Sequence, residues 1–436
     1  MVVFSRKSLM TLIPLVAALP SKRDSSPAIL NSSYVNPHFQ QSCDNVWSYS
    51  TDSFQYLLSL LNGTDSDFPT GWVGQNGWTN IAQWDYQQHS KLFYDQYKIN
   101  ETYYAYNPTG CYAYWHNPLA DCYNDDAGWA ALSSLEGYEA YGDPVFLAWA
   151  ESVFEFVDGH GFIHQSDLDA GYLVDTKWPN TTLQATCNGQ SMYGGVYWMN
   201  GAPMDPNQGG AGDPDVNAVS SGLFALLGAE LCRITGDQVY CDRAYEAIQW
   251  IDRFLVRPDG LIYDHINGTS CEVKDWTFTY NAALYLGAYG VLGHITSNQT
   301  ALDIAKQVAI TSMNTPVWNT DQGVIFEGAG NVTQGNDAIG FKSVLIRNLH
   351  RISQWMDSDV QEAIRQYVNI QYWSLVNNDS NNPNMPIQYG RNWTGTYEVS
   401  TGQTMVAALD VLNALILNPQ SAFPDTNVTN MPVIGI

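Results

Sequence analysis

Two consecutive carboxyls, Asp125 and Asp126, stand just before a run of helix-forming residues, Ala-Gly-Trp-Ala-Ala-Leu. A pair in which one acid keeps its proton and the other is ionised is what acetal cleavage needs. The proton goes to the leaving oxygen, and the anion serves the anomeric carbon or a water. Aromatic residues gather on both sides of the pair. The loop CYAYWHNPLADCY (111–123) precedes it, and Tyr193-Gly-Gly-Val-Tyr-Trp198 follows downstream. Rings of this kind stack on the apolar faces of pyranoses, and few Lys or Arg stand nearby to neutralise the acids. The same pair also suits a plain helix start, with Asn124 as the cap and the carboxylates at the positive end of the dipole. The aromatic surroundings favour the sugar reading.

Other chemistries lack their residues. There is no G-x-S-x-G, H-E-x-x-H, P-loop or G-x-G-x-x-G after a strand. His160 and His164 are four apart, but in a Gly-rich, strand-like piece, and read as structural. Asp213-Pro-Asp215-Val-Asn217 imitates the start of a calcium loop, yet Ala218 stands where the loop needs Gly. No metal and no cofactor is expected. The chain has 43 acidic and 18 basic residues, a formal charge of −25. That field repels nucleic acid and anionic membranes. The expected partner is a neutral polysaccharide or oligosaccharide, met by a monomer.

Residues 1–23 read as an export signal. Arg6 and Lys7 open it, Leu9 to Leu19 is too short to span a bilayer, and Lys22-Arg23 suits dibasic processing. Removing those four bases leaves 14 against 43 acids, a charge of −29. No block after Leu417 is long enough for a lipid-anchor signal, so a secreted protein without membrane anchor is expected. Asn-X-Ser/Thr at Asn31, Asn62, Asn100, Asn180, Asn267, Asn298, Asn331, Asn378, Asn392 and Asn427 agrees with export. The seven cysteines include no C-x-x-C. In an oxidising compartment some should pair, and the close spacings predict Cys111–Cys122 and Cys232–Cys241.

The elements that must position the acids are helical hairpins. From about 120 to 420 the pattern repeats as helix, turn, helix and a short Gly-containing strand-like piece. Trp129, Leu132, Leu135 and Tyr138 recur at helical spacing. Gly142 stops that helix, and Asp143-Pro144 suits the cap and first position of the next. Gly236-Asp237 repeats the punctuation. Hairpins of this kind cannot bury their faces alone. Their uneven spacing favours a closed ring over an open solenoid, and residues 24–436 read as one all-α domain.

Taken together, DDAGWAAL from Asp125, CNGQSMYGGVYW from Cys187, DVNAVSSGLFALLGAELCRITGD ending at Asp237, TYNAALYLGA from Thr279 and FKSVLIRNL from Phe341 carry a resemblance. Over about 70–415 the chain resembles glycoside hydrolase family 76, the α-1,6-mannanases with an (α/α) six-hairpin toroid. The resemblance implies Asp125 as nucleophile and Asp126 as acid/base. It places Trp198, Asn217, Tyr280, Asn281, Phe341, Lys342 and Arg347 where the family's groove is lined or supported; Trp129 and Tyr193 join them as candidate sugar-binding aromatics. The chain departs from the family at Asp215-Val216, where Tyr-Lys is usual, at Ala282-Ala283 in place of Gln-Gly, and at Ala130 in place of a second Trp. Adjacent Cα atoms lie about 3.8 Å apart, compatible with carboxyls about 5 Å apart and hence with retention. The expected activity is secreted, retaining hydrolysis of α-1,6-mannan. A wall transglycosidase on the same fold and a non-catalytic wall-binding protein are the alternatives.

Overall fold

The computed structural model describes residues 29–37, 42–62, 68–69, 71–106, 122–172, 182–200, 215–327 and 337–416. The export signal, Cys111 and with it the Cys111–Cys122 pairing, Asp213, and the acceptor sites at Asn180, Asn331 and Asn427 lie outside those residues.

Helices dominate. In chain order they are α1 (Cys43–Ser59), α2 (Gly71–Gln87), α3 (Tyr94–Tyr106), α4 (Asn124–Tyr141), α5 (Pro144–His160), α6 (Gln165–Ala170), α7 (Ala218–Thr235), α8 (Gln238–Phe254), α9 (Thr279–Ile295), α10 (Gln299–Asn314), α11 (Phe341–Ser353), α12 (Ser358–Asn377) and α13 (Gly402–Ile416). α2 packs on α4, α4 on α7, α7 on α9, α9 on α11, α11 on α13, and α13 returns to α2. These six close a ring. Outside it, α1 leans on α13, α3 on α2 and α4, α5 on α4, α8 on α7, α10 on α9, and α12 on α11 and α13. The expected toroid of helical hairpins is the observed one. It includes α1 to α3, which precede the repeat visible in the sequence.

Burial explains which helices show a pattern. α8 is an outer helix with one buried stripe, Cys241, Ala244, Ala247, Ile248 and Ile251, as a half-wet helix requires. α7 is buried continuously from Ala218 to Cys232 and is apolar enough to cross a membrane, yet 83% of it is enclosed by its neighbours. Glycine lets inner helices approach closely. A Cβ at Gly128 of α4 would lie 2.9 Å from Cβ of Leu223, and one at Gly222 of α7 would lie 2.9 Å from Cβ of Leu284.

The turns follow the sequence. Gly142 and Gly236 end α4 and α7 with φ of 70° and 75°. Asp143 then accepts from the Val145 amide at 3.2 Å and Asp237 from that of Val239 at 3.0 Å. Cys232 and Cys241 form the expected disulfide across the second turn.

Because inner and outer helices alternate, all six inner helices run the same way. Arg347 of α11 shows it. Its Nε and Nη2 donate to both carboxylate oxygens of Asp410 in α13 at 2.6 and 2.9 Å, and Nη1 donates to Asn76 Oδ1 of α2 at 2.5 Å. Each of the three lies about two turns into its helix, so three N-termini face the same end. Arg347 and Asp410 are 7% and 0% exposed. Removing one partner of such a buried pair leaves the other charge uncompensated. Arg347→Ala is therefore expected to cost about 3–5 kcal/mol, read as a lower denaturant midpoint; a loss below about 1 kcal/mol would show that Asp410 is satisfied without it.

Short strands cap the N-terminal end of the ring. β1 (Cys122–Tyr123) pairs with β4 (Met199–Asn200), and β2 (Thr186–Cys187) with β3 (Gln190–Ser191). β5 (Asp215–Asn217), β6 (His265–Asn267) and β7 (Val273–Lys274) form a three-stranded antiparallel sheet.

Candidate active site

The acids occupy the first turn of α4. The expected Asn124 cap is not formed: Tyr123 holds the cap position without a side-chain bond. Asn124 instead donates through Nδ2 to the Tyr197 carbonyl at 2.7 Å, and its amide donates to the Trp198 carbonyl at 2.8 Å. Those bonds stitch the 197–200 segment across the helix start. The Trp198 amide in turn donates to the Asp215 carbonyl at 2.9 Å.

This stitching places Trp198 against the acids. Its indole Nε1 donates to Asp125 Oδ2 at 3.0 Å, and the Asp126 amide donates to Asp125 Oδ1 at 3.0 Å. The Trp198 ring lies 4.8 Å from that of Tyr123. Burial, and secondly the Asp126 charge, push the Asp125 carboxyl up to about 8, against the pull of the Trp198 and backbone donors. Two carboxyls this close titrate as a pair, and burial makes the pair hold a proton at neutral pH.

That proton has a thermodynamic signature. The pair keeps it in the fold, where Asp125 is raised to about 8, but an unperturbed Asp releases its proton near 3.8. The folded chain binds more protons in that window, so this contribution to stability falls as pH rises from about 4 to about 8. Asn has the shape without the charge. Asp125→Asn should therefore gain on wild type between pH 4 and pH 8, by on the order of 1–2 kcal/mol once the residue's partial exposure to solvent is allowed for. Denaturant unfolding at the two pH values measures it. Glu139 and Glu327, raised to about 7 and about 8 by burial, tilt both proteins alike. A variant that gains nothing by pH 8 would place the proton elsewhere.

An arc of rings continues from the acids around the helix starts. Trp129 is 4% exposed and its ring lies 5.8 Å from Trp72. Trp72 lies 5.5 Å from Phe341, which stacks on Tyr280 at 4.1 Å and 15°. Phe278 is 5.4 Å from Phe341, and Trp276 is 6.2 Å from Phe278. From there His265, 6.4 Å from Trp276, bridges Asp215 through Nε2 at 3.1 Å and Asp264 through Nδ1 at 2.9 Å. Asp215 returns the path to Trp198. The rings and the acids thus form one closed circuit of contacts at the N-terminal mouth of the helix ring.

The remaining expected residues divide. Asn281 donates to Asp264 Oδ1 at 3.2 Å behind the arc, and Asn217 caps α7 by accepting from the Ser220 amide at 3.0 Å. Lys342 is buried behind Phe341 and donates to the carbonyls of Ile339 at 2.9 Å and Arg391 at 3.3 Å. Burial lowers it to about 8 while Glu327 and Asp379 pull the other way. Arg347 supports the ring from below the mouth. Tyr193 stands apart from the arc. Its hydroxyl accepts from Arg243 at 3.0 Å, its carbonyl accepts from Arg253 at 2.5 Å, and its ring stands edge-on to Phe162. It belongs to the outer face beside α8, because Gly194 and Gly195 turn the chain between it and Trp198.

Trp72, Trp276, Phe278, His265 and Glu327 were not legible as site residues. Trp276, Phe278 and Tyr280 alternate, which in extended chain puts three rings on one side; that was the available signal. Glu327, which accepts from Thr279 Oγ1 at 2.5 Å, carries none. Among the described residues no group of three or more His, Cys, Asp or Glu could hold a metal ion.

The sequence profile of glycosyl hydrolase family 76 matches residues 62–427. The chain belongs to that family. It is 22% identical over 356 residues to mannan endo-1,6-α-mannosidase DCW1 of Candida glabrata, covering 76% of this chain and 77% of that one. Family 76 folds superpose well. The α-1,6-mannanase GH76A of Salegentibacter sp. HEL1_6, in complex with α-1,6-mannotriose, has a TM-score of 0.66 at 19% identity over 86% of this chain and 99% of its own. Dfg5 from Chaetomium thermophilum, in complex with glucosamine, also scores 0.66, at 18% identity over 88% and 92%.

Proposed function

We propose that this family 76 protein is a secreted, retaining glycosidase that cleaves α-1,6-mannosidic bonds within mannan. The observation that carries the proposal is the Asp125–Asp126 pair at a mouth rimmed by aromatic rings, with Trp198 bonded to Asp125. The relatives support the substrate: the Salegentibacter enzyme is a mannanase bound to α-1,6-mannotriose, and its inactive form has two consecutive aspartates replaced by asparagine.

In this mechanism the pair shares one proton. Trp198 and the Asp126 amide aim donors at Asp125, which favours the anion there, so Asp126 holds the proton. Asp126 gives it to the leaving glycosidic oxygen as Asp125 attacks the anomeric carbon, and that carbon–oxygen bond breaks. Asp126, now ionised, takes a proton from water as the water displaces Asp125 from the same carbon. Both acids return to their starting state.

The test is a time course on linear α-1,6-mannan beside an α-1,2- or α-1,3-linked mannan. Shortening of the α-1,6 polymer alone, with oligomers appearing early, is expected. No cleavage of it, or equal cleavage of all linkages, would refute the reading. Products longer than an oligomeric substrate would show that a sugar acceptor takes the place of water.

A further inference from the structure

The rim holds one ring that the reaction leaves unused. Trp276 is 48% exposed, while the other rings of the arc are buried or half-buried. It is not part of a wider apolar patch, since Lys274 and Asp275 precede it and the Lys274 ammonium sits 4.4 Å from its ring centre. A lone indole beside a charged pair is a poor docking face for a protein. It is a good one for a pyranose, which offers an apolar face and a ring of hydroxyls.

The ring is also held in place. It lies just past β7, whose hairpin with β6 joins β5 in one sheet. Cys271 at the tip of that hairpin is disulfide-bonded to Cys187 of β2, in a separate hairpin. Asn267 Oδ1 accepts from the Thr269 and Ser270 amides at 3.1 and 2.9 Å, closing the turn. A platform fixed before binding loses little entropy when a ligand arrives. Its position follows from His265, which faces Trp276 and is tied through Asp215 to the segment that carries Trp198. Trp276 thus lies on the same mouth as Asp125, beyond the buried part of the arc.

We propose that Trp276 is an outer sugar platform. It stacks on a mannosyl residue of an α-1,6-linked chain that lies beyond the residues spanning the acids, and so sets a preference for longer chains. This rests on the mannan reading above.

Calorimetric titration of the Asp125→Asn protein, which keeps substrate uncut, tests it with α-1,6-mannotriose and α-1,6-mannohexaose. Adding Trp276→Ala should weaken hexaose binding about five- to tenfold, equivalent to about 1–1.4 kcal/mol, and leave mannotriose within twofold. Trp276→Phe should recover most of the loss. A loss shared equally by both lengths, or none with hexaose, overturns the platform while the mannan reading stands. Failure of the Asp125→Asn protein itself to bind either oligomer overturns that reading, and the platform with it.

Discussion

Asp125→Ala is expected to lower kcat on linear α-1,6-mannan by at least about 10⁴-fold, the scale seen when a nucleophile acting as part of a unit is removed. No neighbouring group can replace it in the proposed mechanism, because Trp198 and the Asp126 amide are both aimed at the lost carboxylate. The loss should hold for every substrate, including those with good leaving groups, since the covalent step itself is gone. The fold should persist, as α4 starts from backbone bonds of Asn124 rather than from the acids, and circular dichroism with a denaturation midpoint checks that. Activity within tenfold of wild type would return the pair to a helix-start role.

Asp126→Ala should behave differently. Losing an acid/base group costs typically 10²–10⁴-fold, and here about 10³-fold is expected on mannan, whose leaving oxygen needs the proton. An aryl α-mannoside with an acidic phenol needs no such help in the first step. Its glycosyl-enzyme should form at near-normal rate and accumulate, seen as a burst of phenol, and added azide should speed its breakdown and yield a glycosyl azide. Equal losses on mannan and aryl substrate, with no response to azide, would mean that Asp126 does not serve as the acid/base.

How far the sequence could be read depends on where each helix sits in the ring. The turns at Gly142 and Gly236 are legible because a left-handed stop and an Asp cap are local requirements. α8 is legible because only one side is buried. α2 is not: Gly-Trp-Val-Gly-Gln-Asn-Gly carries no periodic stripe, since Val73 to Ala82 is buried without interruption against α4 and α13. The acids are legible as a pair, but what orients them is not, because Trp198 reaches Asp125 only through tertiary contacts of the 197–200 segment. Tyr193 shows the limit of proximity along the chain, as only four residues lie between it and Trp198 and a tight Gly-Gly turn sends it to the outer face. The Cys187–Cys271 disulfide spans 84 residues, and nothing local marks it, whereas Cys232 and Cys241 flank a turn and meet as their spacing demands.

The central claim, that Asp125 attacks and Asp126 supplies and recovers the proton, is tested most directly by the anomer released first. Proton NMR of an α-1,6-mannooligosaccharide digest, followed before mutarotation, should show the α-anomer at the newly formed reducing end. First appearance of the β-anomer would mean a single displacement by water, and would contradict a covalent role for Asp125.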